Sequence, residues 1–214
     1  MILAALGDID GHLPALDAVL AAVDEAGVFT VLHTGNSVAG RPTDGAVLAR
    51  LSAREVPAVL GRRDRLVVRY HKKAAALAKR LPADELNIVR RTYGNLASTE
   101  LEALGSRPEA RMLTVEGVHI ALCHGALGNR KDVLAAETSL AKLQRQRELA
   151  RADLVLAGGQ AAPFFRMVGG TLFVGPGPLV AAPRVARYAL INTDADPWLV
   201  DFAEAPFAPA DTVD

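Results

Sequence analysis

The chain has 214 residues, half of them apolar, and its 24 basic residues are balanced by 24 acidic ones. Such a length buries one sizeable core, and the apolar content together with zero net charge excludes a disordered chain. The even charge balance also argues against nucleic-acid or membrane-surface binding; no apolar run reaches the roughly 18–20 residues of a membrane span, and the single cysteine, Cys123, excludes a disulfide framework or a multi-cysteine zinc site.

The opening stretch MILAALGDIDGHL has no basic segment and no small-residue cleavage site, so a cytoplasmic rather than secreted protein is expected. Met1–Leu6 reads as a buried strand that ends at Gly7-Asp8. Pro14 opens a helix to Ala26, with Leu16, Val19, Leu20 and Val23 on one face and Gly27 as its stop. Thr30–His33 is a second strand, Asp44–Ala53 a second helix, and Pro57–Leu60 a third strand. Strand, helix, strand, helix, strand is the pattern of βαβ units.

Residues 65–110 read as two or three polar helices with breaks near Pro82 and Gly94. Met112–Val115 and Val118–Cys123 then form a hairpin, Lys131–Ala150 a long helix, and Leu154–Ala157 another buried strand. Two more hairpins follow, Phe164–Val168 with Leu172–Val174 and Tyr188–Asn192 with Trp198–Phe202. Hairpins beside parallel units imply mixed sheets. Residues 1–204 are expected to form one domain, and residues 205–214, rich in Ala, Pro and Asp, a flexible tail.

Function in open α/β sheets collects beyond the carboxyl ends of the strands. In chain order those ends carry Gly7-Asp8-Ile9-Asp10-Gly11-His12, Gly35-Asn36, Gly61-Arg62-Arg63-Asp64, His124-Gly125, Gly158-Gly159-Gln160-Ala161 and Gly175-Pro176-Gly177-Pro178. Their order and spacing resemble the calcineurin-like metallophosphoesterase superfamily, in its short bacterial phosphodiesterase branch, which carries GDxHG, GD, GNHD, HG, GHTH and NPGS at these places. Val56-Pro57-Ala58-Val59-Leu60-Gly61 and Val168-Gly169-Gly170-Thr171-Leu172-Phe173-Val174 extend the likeness beyond the motifs, and it covers roughly residues 1–204. The fold this resemblance implies is a four-layer αββα sandwich, an α/β (mixed α+β) architecture of two mixed sheets flanked by helices.

The family's implied chemistry uses two divalent metals about 3.5–4 Å apart, held by carboxylate and imidazole ligands. Set against its motifs, this chain keeps Asp8 and His124. Asp10 stands for a histidine, and Asn36 for the bridging aspartate. Arg62 stands for the asparagine ligand, and Arg63 for the histidine that serves the family as proton donor. Gly159 and Ala161 replace both histidines of GHTH. Asp8, Asp10, Asn36 and His124 therefore remain as a weak candidate set for at most one divalent metal (Mn, Zn or Mg), and no catalytic residue is assigned. Arginine suits phosphate oxygens, so Arg62 and Arg63 are candidates for anion binding; alternatively they only pair with Asp8, Asp10 and Asp64.

His12 stands at the helix start, where a polar contact competes with a ligand role. His33 reads as a packed core residue, His71 and His119 have no motif context, and Cys123 reads as a small core residue. The resulting expectation is a catalytically inactive or strongly impaired phosphoesterase homologue that acts by binding or regulation, with a phosphate-bearing small molecule or a protein as partner. An altered mononuclear phosphoesterase is the alternative. A third reading, a haloacid-dehalogenase-like phosphatase, rests on Asp8-Ile9-Asp10-Gly11-His12 and Thr34, but no lysine or late acidic pair supports it.

Overall fold

The computed structural model describes residues 1–129 and 131–208. Strand β1 (Ile2–Leu6) is followed by α1 (Leu13–Glu25), β2 (Thr30–His33), α2 (Asp44–Ala53) and four helices in succession: α3 (Arg62–Val68), α4 (Tyr70–Ala78), α5 (Ala83–Asn95) and α6 (Ser98–Gly105). Then come β3 (Ala110–Val115), β4 (Val118–His124), α7 (Leu140–Ala150), β5 (Leu154–Gly158), β6 (Phe164–Val168), β7 (Thr171–Gly175), β8 (Val180–Ala182), β9 (Val185–Asn192) and β10 (Leu199–Pro206).

The strands form two mixed sheets. One runs β10-β9-β1-β2, with β8 added to β9, and only β1 and β2 pair in parallel. The other runs β3-β4-β5-β7-β6, with parallel pairing from β4 through β5 to β7. The period-two alternation of a strand decides the layering. Leu3 and Ala5 of β1 face the second sheet and pack with Ile120, Leu122, Leu154, Leu156 and Val174. Ala4 and Leu6 face the other way, onto Leu16, Val19 and Val23 of α1. On the far side, Cys123, Val155, Ala157 and Phe173 pack against Leu143 and Ala150 of α7. Each such buried Leu, Val or Phe contributes about 1.5–3 kcal/mol, so three parallel apolar seams hold helix, sheet, sheet and helix together as the expected αββα sandwich. A fourth cluster, with Val38, Leu60, Val67, Val89 and Leu104, joins the loop after β2 to helices α3, α5 and α6.

Five features differ from the sequence reading. Pro57–Leu60 pairs with β2 through one bridge only, His33 with Ala58, because Pro57 has no N–H and Leu60 turns its own to the Pro108 carbonyl at 2.8 Å. The helix expected over 131–150 begins at Leu140: Ser139 accepts the Lys142 N–H as its cap, while Leu134 is buried in the irregular stretch before it. The segment 65–110 holds four helices, divided additionally at Arg69. The short β8 has no counterpart in the sequence reading. Ala205 and Pro206 close β10 and Phe207 donates to the Arg184 carbonyl at 3.0 Å, so strand pairing enters the stretch read as a tail; residues 209–214 lie outside the described residues. Among the described residues, no helix is long and apolar enough to cross a membrane.

Candidate functional site

The ends of β1, β2 and β4 and the start of α3 converge on one crevice. The loops after β1 and β2 are stitched together first: Ile9 and Asp10 both donate their N–H to the Asn36 carbonyl at 3.0 Å. Asp10 and Asn36 sit in the left-handed region, at φ 51° and 59°, which non-glycine residues seldom occupy outside constrained turns. Gly61 permits the close approach of α3, since a side chain there would strike the Asn36 backbone.

A fully buried carboxylate, Asp64, locks this arrangement. Its oxygens accept the N–H groups of Asn36 (2.9 Å), Ser37 (2.9 Å), Val38 (3.3 Å) and Gly61 (3.1 Å). Asp44, equally buried, accepts from Ala39 (3.0 Å), Gly40 (2.7 Å) and Arg41 (3.1 Å) and shapes the next turn. Burial raises the Asp44 pKa above the ordinary carboxylate range, and those three N–H groups oppose the rise. Sequence reasoning weighed Asp64 only as a partner for the arginines and did not single out Asp44. The signal available for both was position: each carboxylate stands in the first turn of a helix, where it can collect backbone N–H groups.

Within this frame Asp8 Oδ2 accepts the Asn36 amide at 2.9 Å. Asp8 Oδ1 is buried without a hydrogen-bond partner and lies 3.9 Å from His124 Nδ1. Burial raises the Asp8 pKa, against the pull of His124 and the Asn36 amide. The Asn36 Oδ1 is taken by the Arg63 N–H at 2.8 Å, which fixes the orientation of the amide. His124 donates Nδ1–H to the Thr34 carbonyl at 2.8 Å, leaving Nε2 on the side of Gly159. The Arg63 guanidinium pairs with the Asp10 carboxylate, and Arg41 Nε donates to the Asp10 carbonyl at 3.0 Å. Burial pushes Asp10 up to about 6 even though Arg63 pulls it down.

The remaining positions lie outside this cluster. Arg62 turns away to Glu85 on α5, with Nη2 3.1 Å from Oε2, and does not enter the crevice. Gly159 is at φ 84°, and Ala161 is exposed on the bend that follows. His12 caps α1 by accepting the Ala15 N–H at 3.3 Å and packs edge-on against Phe207. His33 is fully buried beside Ser37 Oγ at 3.0 Å, and burial pushes its pKa down to about 3. Cys123 is buried, its thiol pushed up to about 12, so it supplies no thiolate. His71 stacks on Tyr93 and His119 contacts Asp153 at 3.2 Å, both away from the crevice. Beside His124 a cavity of about 470 Å³ opens between Glu109, Leu127, Asn129 and Lys131.

These residues do not fit a dinuclear metal centre. The amide of Asn36 spends one oxygen of Asp8, the Arg63 N–H spends the oxygen of Asn36, and the Arg63 side chain spends Asp10. Among the described residues no three His, Cys, Asp or Glu side chains gather closely enough to hold a metal ion. A guanidinium about 5 Å from a dication costs about 7 kcal/mol at an effective dielectric of about 20, comparable with much of a metal site's affinity.

The profile of the calcineurin-like phosphoesterase superfamily domain matches residues 1–196. Solved structures with the same fold include a hypothetical protein from Pyrococcus horikoshii OT3 (19% identity, 97% of this chain and 88% of that one, TM-score 0.83). A metallophosphoesterase from Sphaerobacter thermophilus (20% identity, 97% and 89% coverage, TM-score 0.71) and Vps29 from Chaetomium thermophilum (14% identity, 100% and 98% coverage, TM-score 0.53) share it too. Among curated protein sequences none is significantly similar to this chain. The profile match replaces the haloacid-dehalogenase reading, since it takes in Asp8–Leu13 and nearly all that follows. From its profile match, its two-sheet sandwich and its strand-end crevice, the chain belongs to the calcineurin-like phosphoesterase superfamily.

Proposed function

We propose that this chain is a catalytically silent member of its superfamily, one that uses the fold for binding in the cytoplasm rather than for phosphoester hydrolysis. The observation that carries the reading is the pairing of Arg63 with Asp10 beside the Asn36–Asp8 hydrogen bond. The crevice thereby supplies its own cation, and carboxylates that would otherwise stand uncompensated are partnered from within the chain. Arg63 also stands where an acid for the leaving group is needed, and a guanidinium does not release its proton near neutral pH.

One observation favours a second reading, an altered mononuclear phosphoesterase. The buried Asp8 Oδ1 has no partner and His124 lies beside it, so one carboxylate oxygen and one imidazole remain for a single ion. Purified protein incubated with manganese or zinc, then washed, separates the two. At most one weakly held ion per chain and negligible hydrolysis of bis-p-nitrophenyl phosphate are expected. Metal-dependent turnover that vanishes in Asp8→Ala would overturn the silent reading in favour of the mononuclear one.

A further inference from the structure

A second concavity lies along α3 and α4 and encloses about 330 Å³; it shares Lys131 with the cavity beside His124. Its cationic lining is Arg62, Arg65, Arg69, Lys73, Arg80 and Lys131. The first four fall at i, i+3, i+7 and i+11, and Arg69, the residue between the two helices, keeps near-helical angles (φ −90°, ψ −3°); Arg80 lies in the turn just after α4. Helical periodicity therefore stacks those four on one face, while Lys131 reaches the cavity from the chain between β4 and α7. Leu66 and Leu77 complete the lining with apolar surface.

The charges are poorly compensated. Arg62 pairs with Glu85 and Arg65 with Glu109. Among the described residues Arg69, Lys73, Arg80 and Lys131 have no carboxylate partner. Elsewhere Arg50 pairs with Asp17, Arg54 with Asp24, and Arg187 with Glu204, whereas four cations lining this one concavity have no such acid among the described residues. Like charges three or four residues apart on a helix repel, so this stripe opposes local stability in the free protein. A chain with zero net charge that gathers uncompensated cations around one concavity has a local field attractive to anions.

We propose that this groove binds a small polyphosphate-bearing molecule, with the phosphates along Arg69, Lys73, Arg80 and Lys131 and an apolar or planar group against Leu66 and Leu77. The uncompensated charge of four matches a nucleoside triphosphate, and the volume is that of a small-molecule pocket. Arginine forks and lysine ammonium groups are the donors such phosphates take. The site is independent of the crevice reading.

The test is calorimetric titration of the full chain with ATP, AMP, inorganic tripolyphosphate and a short single-stranded RNA. ATP is expected to bind saturably, at least about tenfold tighter than AMP, with an affinity that falls steeply with salt. The Arg69→Glu/Lys73→Glu/Arg80→Glu variant should lose at least about 100-fold in ATP affinity; since all three positions are exposed, its circular dichroism should match wild type. Should that variant misfold, Lys73→Gln alone is expected to cost about tenfold, which is about 1.4 kcal/mol. Arg63→Met should leave ATP affinity within about twofold, since loss there would put the ligand in the crevice and overturn the proposal. No saturable ATP binding up to about 1 mM would also overturn it. So would tripolyphosphate binding as tightly as ATP, which would remove the role of the leucines, or RNA binding more tightly than ATP and losing that affinity in the triple variant.

Discussion

Along the wall of the crevice formed by β1, β2 and α3, Asp64 and Asp44 hold the loops by seven backbone N–H groups, and Asp8, Asn36, Arg63 and Asp10 are linked one to the next. The wall formed by β4 and β5 presents His124 beside Gly158 and Gly159, with Ala161 exposed beyond. The contrast separates two jobs a metal centre ordinarily combines. In this chain the shape of the first wall rests on buried carboxylates bonded to backbone, so it does not call for an ion to organise it. Apart from His124, the second wall has at Gly158, Gly159 and Ala161 side chains too small to ligate anything, and it is held by strand pairing together with the hydrogen bonds of His124 to Thr34 and of Gln160 to Ala157.

The largest test of that contrast is Asp64→Ala. Four buried N–H groups would lose a charged acceptor at once, and the expected cost is about 3–5 kcal/mol in urea unfolding. Ala161→Ser on the bare wall should stay within about 0.5 kcal/mol of wild type. Equal costs for the two would erase the distinction between the walls.

Next in size is a pH effect beneath the first wall. His33 titrates at about 3 in the folded chain, against an ordinary value near 6.5, so the unfolded chain takes up a proton that the folded one refuses. Its contribution is fully present above pH 6.5 and is lost as the pH falls toward 3. By pH 5 the loss is about 2 kcal/mol relative to pH 8. Asp8 and Asp10, whose pKa values are raised, act in the opposite direction as acid protonates them. The difference between wild type and His33→Gln isolates the histidine. If both proteins show the same pH slope, His33 is not held neutral.

How much of this was legible beforehand follows from the range of each interaction. The strand ends, the first helix and the two-sheet architecture could be read because glycine placement and apolar period are local properties of the chain, and the family motifs follow them. Asp64 could not be read correctly in the same way: its partners Asn36, Ser37 and Val38 lie 26–28 residues earlier, and spacing alone offered Arg62 and Arg63 instead. Arg62 stands at a strand end in the family's asparagine-ligand position and so was expected at the crevice, yet consecutive helical positions diverge by about 100°, which sends Arg62 to Glu85. The helix expected from Lys131 starts at Leu140 instead, and Leu134 is buried without a helix.

A smaller effect is expected when the bare wall is given a ligand back. Gly159→His places a non-glycine residue at φ 84°, with its Cβ 3.2 Å from His124 Nε2. The backbone strain alone should cost about 1–2 kcal/mol. Manganese content should not rise, since the Arg63 guanidinium and the Asn36 amide still occupy the facing oxygens. A histidine there that binds metal without loss of stability would show that the bare second wall, and not the Arg63 and Asn36 contacts of the first, was what limited metal binding.

The smallest effect concerns Arg63 itself and tests whether it acts as the internal counter-charge. Asp10, raised to about 6, is ionised in the folded chain above that pH and neutral below it. In Arg63→Met the ionised carboxylate loses its partner while the protonated one loses little, so the cost of the substitution must shrink as the pH falls through 6. Asp10 keeps 39% of its side chain in water, and solvent screens the pair accordingly. A cost of about 1 kcal/mol at pH 8, falling to a few tenths at pH 5, is the expected size. Urea unfolding of both proteins at the two pH values measures it. A cost that is flat with pH would mean that Arg63 stabilises the crevice through its stem and its N–H to Asn36, and that the charge of Asp10 needs no partner. A cost that grows in acid would point to a different carboxylate as the one Arg63 serves.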